Sequence, residues 1–256
     1  MDKSSYHGKF EKIISKYRIV YDHHTHTIYS HGKGSIEDNV RVAAARGLKS
    51  VAVTDHGPGH LTYGLKTEKL PEMRREIARL KTVYPQVEVL LGVEANTIRV
   101  EPYLDVHEEN LKEFDIILAG YHFGILKAGM IPNYISSHTG LMSGSSSGLL
   151  VRNTDMILKA LYENPVDILT HPGDKGPFDI EDIARACSDT DTLIEINAKH
   201  RHLTADEIKI AARHDVKFVI GSDAHIPENV GAFEEPLARA LEAGLEPERI
   251  VNIERI

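Results

Sequence analysis

Residues 18–26 read RIVYDHHTH. The first half is the apolar run of a strand buried on both faces, and the second half places His23, His24 and His26 within four positions. The pattern recurs along the chain. KSVAVTDHG (49–57), VEVLLGVEAN (87–96), DIILAGYHFG (115–124), VDILTHPGD (166–174), TLIEINAKH (192–200) and KFVIGSDAH (217–225) each carry a Val, Ile and Leu run that ends in polar residues. The polar ends are His24 and His26, Asp55 and His56, Glu94, His122, His171, Glu195 and Asn197, and Asp223 and His225. Helical patterns follow most of the runs, as in SIEDNVRVAAARGL (35–48) and TADEIKIAARHD (204–215). Ser35 with Asp38, and Thr204 with Glu207, have the spacing of capping boxes, and Gly47 stands where a helix should stop. Strands alternating with helices predict a parallel sheet. An open sheet gathers only the strand ends near its switch point. A barrel brings every strand C-terminus to one mouth. Polar ends on all seven runs therefore predict a (β/α)7 barrel, TIM-like and one unit short.

The barrel accounts for residues 19–256 as a single domain. Residues 1–18 precede it. Tyr6, Phe10, Ile13, Ile14 and Tyr17 fall at helical spacing, which predicts an amphipathic helix on the barrel exterior. Residues 124–150 form the longest irregular segment, the length of a lid or binding loop.

Composition narrows the function. A chain of 256 residues suits one large domain or two small ones. A net charge of −8 disfavours a broad nucleic-acid surface. No apolar run reaches the roughly 20 residues of a membrane span, and the N-terminus lacks a secretory h-region. The single cysteine, Cys187, lies in a helical pattern and excludes an intrachain disulfide or a four-thiolate zinc site. A cytoplasmic setting is expected. Oligomeric state is not legible.

His24 and His26 lie two apart on a strand and share a face. His23 points the other way, which predicts packing or a hydrogen bond between strand and helix. His31 lies in the following loop and can turn back to the mouth. Burying so many polar groups without partners costs about 1–3 kcal/mol each, and metal coordination removes that cost. His24, His26, His31, His56, Glu94, His122, His171, Asp223 and His225 make nine candidate ligands. A catalytic zinc keeps about three protein ligands and an open position, so nine suffice for three ions. Zinc suits the imidazole-rich set, with manganese or iron as alternatives.

The ordered motifs HTHTIYSH, TDHGP, GVEAN, AGYH, THPGD, EIN and GSDAH resemble those of the PHP (polymerase and histidinol phosphatase) superfamily over residues 20–235. His31, in SHG where many relatives carry SDG, matches the stand-alone bacterial phosphatase subgroup. The resemblance implies a distorted (β/α)7 barrel with a trinuclear site. It assigns His24, His26, Glu94 and Asp223 to one ion, and Glu94, His122 and His171 to a second. His31, His56 and His225 take the third. The implied reaction is phosphate monoester hydrolysis of a small phosphorylated metabolite, histidinol-phosphatase-like, by a metal-bridging hydroxide held via Glu94 and Asp223. Arg201, Lys199, Lys33 and His60 are the candidate substrate-binding residues. Asp55, Glu195 and Asn197 are candidate supports of the ligands, although helix capping would explain Asp55 as well. His200, His202 and His138 receive no role. The alternatives are a phosphodiesterase or 3'-5' exonuclease, as in polymerase-linked relatives, an amidohydrolase-type barrel, and a metal-stabilised non-catalytic binding module.

Overall fold

The computed structural model describes residues 10–125, 128, 133–134 and 147–256. Among the described residues, seven strands form one parallel sheet in the order of the chain. They are β2 (Tyr21–Asp22), β3 (Ser50–Val53), β4 (Glu88–Asn96), β5 (Ile116–Gly120), β6 (Ile168–Leu169), β7 (Leu193–Asn197) and β8 (Phe218–Gly221). Helices α1 (Ile36–Ala45), α2 (Leu70–Val83), α3 (Glu108–Leu111), α4 (Ser147–Glu163), α5 (Ile180–Asp189), α6 (Ala205–Ala211) and α7 (Glu234–Glu242) lie between or after them. Both predicted capping boxes form, at Ser35–Asp38 and Thr204–Glu207. Gly47 follows α1 at φ +73°, a conformation that favours glycine.

Alternation along each strand separates two cores. Val51, Leu91, Val93, Ile117, Ile194 and Ile220 face outward and pack with Met73, Ile157, Ile183, Ile208 and Leu237 of the helices. Cys187 of α5 is buried in the same core. Inside the barrel sits a smaller cluster of Ala52, Ile116, Leu118, Ile168 and Val219, packed by Tyr21, Leu90 and Leu193. Continuing the inward parity two residues at a time leads to Glu94, Asn96, Glu195 and Asn197. Apolar filling therefore gives way to polar groups at the mouth.

The seam between β2 and β8 closes in three places. At the mouth, Thr25 bridges Ala224 in parallel, and the His26 N–H donates to the Ala224 carbonyl at 2.9 Å. In the middle, the buried Asp22 carboxylate accepts the N–H groups of His24, Ser222 and Gly231. At the floor, residues 250–252 lie along β8. Asn252 there accepts the Ile220 N–H at 2.9 Å and donates to the carbonyls of Ile220 and Tyr21 at 2.7 and 2.9 Å. One side chain thus replaces the peptide of a missing strand.

Two expectations change. Residues 10–14 are helical, and Ile14 is buried. Tyr17 instead begins β1 (Tyr17–Ile19), which pairs antiparallel with β9 (Ile253–Arg255). The helix of residues 1–18 therefore stops short, because β9 supplies hydrogen-bond partners to that stretch. Tyr6 lies outside the described residues. The irregular segment 124–150 also lies largely outside them, as does His138. Its last four residues begin α4 instead, since Leu149, Met156, Ile157 and Ala160 put one apolar stripe on the core.

Candidate metal centre

Glu94 stands on β4 at the centre of the mouth and is fully buried. Glycines on β5 and β8 make the space. A Cβ on Gly221 would run into the Glu195 carboxylate and the His24 side chain. One on Gly120 would strike Thr170 and approach Glu94. The ligand-bearing turns are strained as well. His171 and Asp223 follow their strands at φ +29° and +50°, unusual for residues other than glycine and concentrated at functional sites.

The two oxygens of Glu94 divide the cluster. Oε1 lies 3.0 Å from His171, 3.3 Å from His122 and 3.4 Å from His24. Oε2 lies 3.0 Å from His56 and 3.5 Å from His26. The second carboxylate, Asp223, has Oδ1 at 3.2 Å from His26 and 3.1 Å from His225. Four trios bring ligand atoms within 4.8 Å of one another: His24–His26–Glu94, His56–Glu94–His122, His24–His171–Asp223 and His26–His56–His225. The first keeps within the partition implied by the resemblance, and the other three straddle it. His31 is exposed and belongs to none of the trios. Its ring still stands 4.1 Å from that of His225 and 4.9 Å from that of His56.

The charges suit cations. Burial opposes ionisation of Glu94, but His122, His24 and His56 hold it well below the carboxylate range. Asp223 is likewise held low against burial by His24, His200, His225 and His26. Burial lowers His56 and His122, and burial with its histidine neighbours lowers His26 and brings His31 to about 3. Neutral imidazole is the form that ligates. Glu94 Oε2, Asp223 Oδ1, His26 Nδ1 and His56 Nδ1 are buried without a hydrogen-bond partner. Buried atoms of this kind are costly unless satisfied, and divalent ions satisfy this donor set.

The supporting residues are specific. Glu195 Oε1 meets His24 Nδ1 at 2.5 Å, and Oε2 accepts the His171 N–H and the Asn197 side chain. Asn197 also reaches Asp223. Asp55 accepts from Thr27 and Ser30, so it fastens the turn that leads to His31 and caps no helix. Lys199 Nζ lies 3.0 Å from His225 Nδ1 and 3.6 Å from Asp223. Arg201 and Lys33 are exposed. His60 differs from expectation. It is buried, and burial with the nearby His56 and His122 brings it down to about 4, so it is a neutral ring and offers no cation. His23 differs too. It bonds Ser50 at 3.0 Å and stacks on Tyr21, facing the barrel floor and not the gap between strand and helix. β2 ends at Asp22, whose carboxylate accepts the His24 N–H, so the strand period does not carry on through His23 and His24.

Sequence reasoning missed several members. Asn96 meets His122 Nδ1 at 2.8 Å and is itself held by Asp105. Thr170 donates to Glu94 at 2.8 Å. His200 lies between Asp174 and Asp223, at 3.1 and 3.2 Å, and the two carboxylates outweigh burial to bring it up to about 9. Asn96 could have been found by strand parity, two residues past Glu94. Asp105 carries no comparable signal.

A family model described as PHP domain matches residues 22–199. A probable phosphatase of Thermoanaerobacter sp. (strain X514) is 33% identical over 250 residues, 92% of this chain and 91% of its own. One from Shewanella sediminis (strain HAW-EB3) is 30% identical over 92% of this chain and 90% of its own. Among solved structures, the histidinol phosphate phosphatase of Lactococcus lactis, complexed with zinc, L-histidinol and phosphate, aligns with a TM-score of 0.61. It is 19% identical and covers 88% of this chain and 94% of its own. A putative histidinol phosphatase from Listeria monocytogenes aligns with a TM-score of 0.60 at 16% identity, covering 83% and 97%. The seven-stranded barrel is the fold they share with this chain.

Proposed function

The chain belongs to the PHP domain family and, like the curated relatives it matches over 92% of its length, is a phosphatase; from that premise we propose that it hydrolyses the phosphate monoester of a small metabolite at a centre of three divalent ions. The observation that carries the reading is the divided Glu94 carboxylate, with three imidazoles at one oxygen and two at the other. His24, His26, Glu94 and Asp223 would hold one ion. Glu94, His122 and His171 would hold a second, and His31, His56 and His225 a third. Zinc is favoured by the imidazole-rich set and by the zinc in the Lactococcus lactis complex. Manganese or iron come next.

Bound ions would supply an activated water near Glu94 and Asp223 and neutralise the phosphoryl oxygens. The chain's own residues do the positioning. Glu195 fixes the ring of His24, and Asn96 that of His122. Lys199 meets the phosphate at the rim, and Arg201 and Lys33 extend from mouth loops near it. The free, buried Cys187 fits a cytoplasmic setting. Among the described residues, no helix is long and apolar enough to cross a membrane.

A nuclease would need many phosphate contacts, whereas the net charge is −8. The test uses enzyme loaded with zinc or manganese. We expect release of inorganic phosphate from small monoesters to outpace shortening of a single-stranded oligonucleotide. Efficient oligonucleotide digestion beside negligible monoester turnover would reverse the assignment.

A further inference from the structure

We propose that Tyr63 is a catalytic residue whose hydroxyl donates a hydrogen bond to a phosphoryl oxygen of the bound monoester, with His60 as the platform that aims it. The inference rests on the monoesterase reading above and adds a residue to it.

Tyr63 stands at the rim of the metal centre, on the side of His31 and His56. Its ring centroid lies 4.1 Å from that of His31 and 5.2 Å from that of His56. On its other contact it stacks on His60, at 3.5 Å with 20° between planes. His60 is in turn held in place. Gly124, at φ +88°, presses so close that a Cβ there would come within 2.6 Å of His60 Nε2. His60 Nδ1 faces the N–H groups of Thr62 and Tyr63. A buried, neutral histidine at a phosphatase mouth is a poor ligand for an anion. A flat, fixed ring beneath a tyrosine is a good way to limit the tyrosine's freedom.

Among the described residues, the Tyr63 hydroxyl has no hydrogen-bond partner. The ring packs directly against His31 and lies close to His56. A phenol fixed between His60 and His31 at the rim is a preorganised donor for an anion seated on the centre. The cation at the rim, Lys199, comes from the loop after β7 and approaches beside His225. Tyr63 comes from the loop after β3 and approaches beside His56. The two flank the mouth from different loops, so their contacts to a phosphate would not duplicate one another.

Tyr63→Phe keeps the ring stack and removes only the hydroxyl. Hydrogen bonds to charged groups are worth enough that kcat/KM for p-nitrophenyl phosphate should fall about tenfold to a hundredfold. The affinity for inorganic phosphate, measured by calorimetry on the zinc-loaded protein, should weaken by about tenfold. Metal content and thermal midpoint should match the parent. Parental kcat/KM and phosphate affinity in Tyr63→Phe would overturn the proposal. Loss of metal in that variant would also overturn it, because the hydroxyl would then be supporting the cluster. His60→Leu should give a smaller loss with the same signature. Failure of the parent protein to hydrolyse any monoester is a different result, and it would overturn the monoesterase reading itself.

Discussion

His23 and His24 are neighbours in sequence and face opposite ends of the barrel. His24 lies among Glu195, Glu94 and Asp223, and these carboxylates outweigh burial and raise its pKa well above the usual value. His23 has a serine and a tyrosine for company, and burial brings it down to about 4. It lines a floor cavity of about 730 Å³ with Ile116, Ile168 and Leu193. The mouth sets polar groups against one another, while on the floor the neutral imidazole of His23 is a hydrogen-bonded filler. Residue type therefore does not define the centre. What defines it is the set of carboxylates within reach, which His24 has and His23 lacks.

The sharpest way to break this contrast is Glu94→Gln. Its two oxygens are the meeting point of five imidazoles, so activity should drop at least about a thousandfold. More than one equivalent of metal should be lost by elemental analysis. Retention of all metal would show that the carboxylate does not join the two halves. Next in size is Glu195→Gln, which loosens the ring of His24 without touching an ion. Metal affinity, read by chelator competition, should fall about tenfold to a hundredfold. The matching change on the floor, Ser50→Ala beside His23, should leave it unaltered.

The last effect belongs to His23, touches stability and not the metals, and appears only in acid. Its folded pKa of about 4 lies below the ordinary 6.5, so the unfolded chain takes up the proton first. Stability from this group is intact above about pH 6.5 and declines as pH falls toward 4, by up to about 3 kcal/mol. Denaturant melts of metal-free protein should show that decline, and His23→Gln should remove part of it. Parallel pH profiles for the two proteins would mean that His23 is not the titrating group.

Much of this contrast was legible in the sequence. Apolar runs with polar ends specify inward parity, and parity carries Glu94, Glu195, Asn197 and Asp223 to the mouth. The failures came where parity broke. β2 ends at Asp22, so no strand period governs His23, which bonds Ser50 and stacks on Tyr21. At Tyr17 a partner strand 238 residues away takes over a helical pattern. His60 looked like a cation because sequence shows a histidine's position and not its burial. Tyr63 and Asp105 sit on irregular loops, where no period says which side chain turns inward.

The seam has a consequence for how the molecule assembles. β2 and β8 are joined by contacts spanning nearly the whole chain, with 231 residues between Asn252 and its Tyr21 partner. Pairings of such long range carry the largest loop-closure entropy and form late in folding. The proposed ligands lie on both sides of that join, with His24 and His26 on one flank and Asp223 and His225 on the other. A half-formed barrel therefore presents only fragments of the centre. Tight metal uptake becomes a clock for the final closing event, and during refolding it should lag behind helix formation and arrive with burial of the seam.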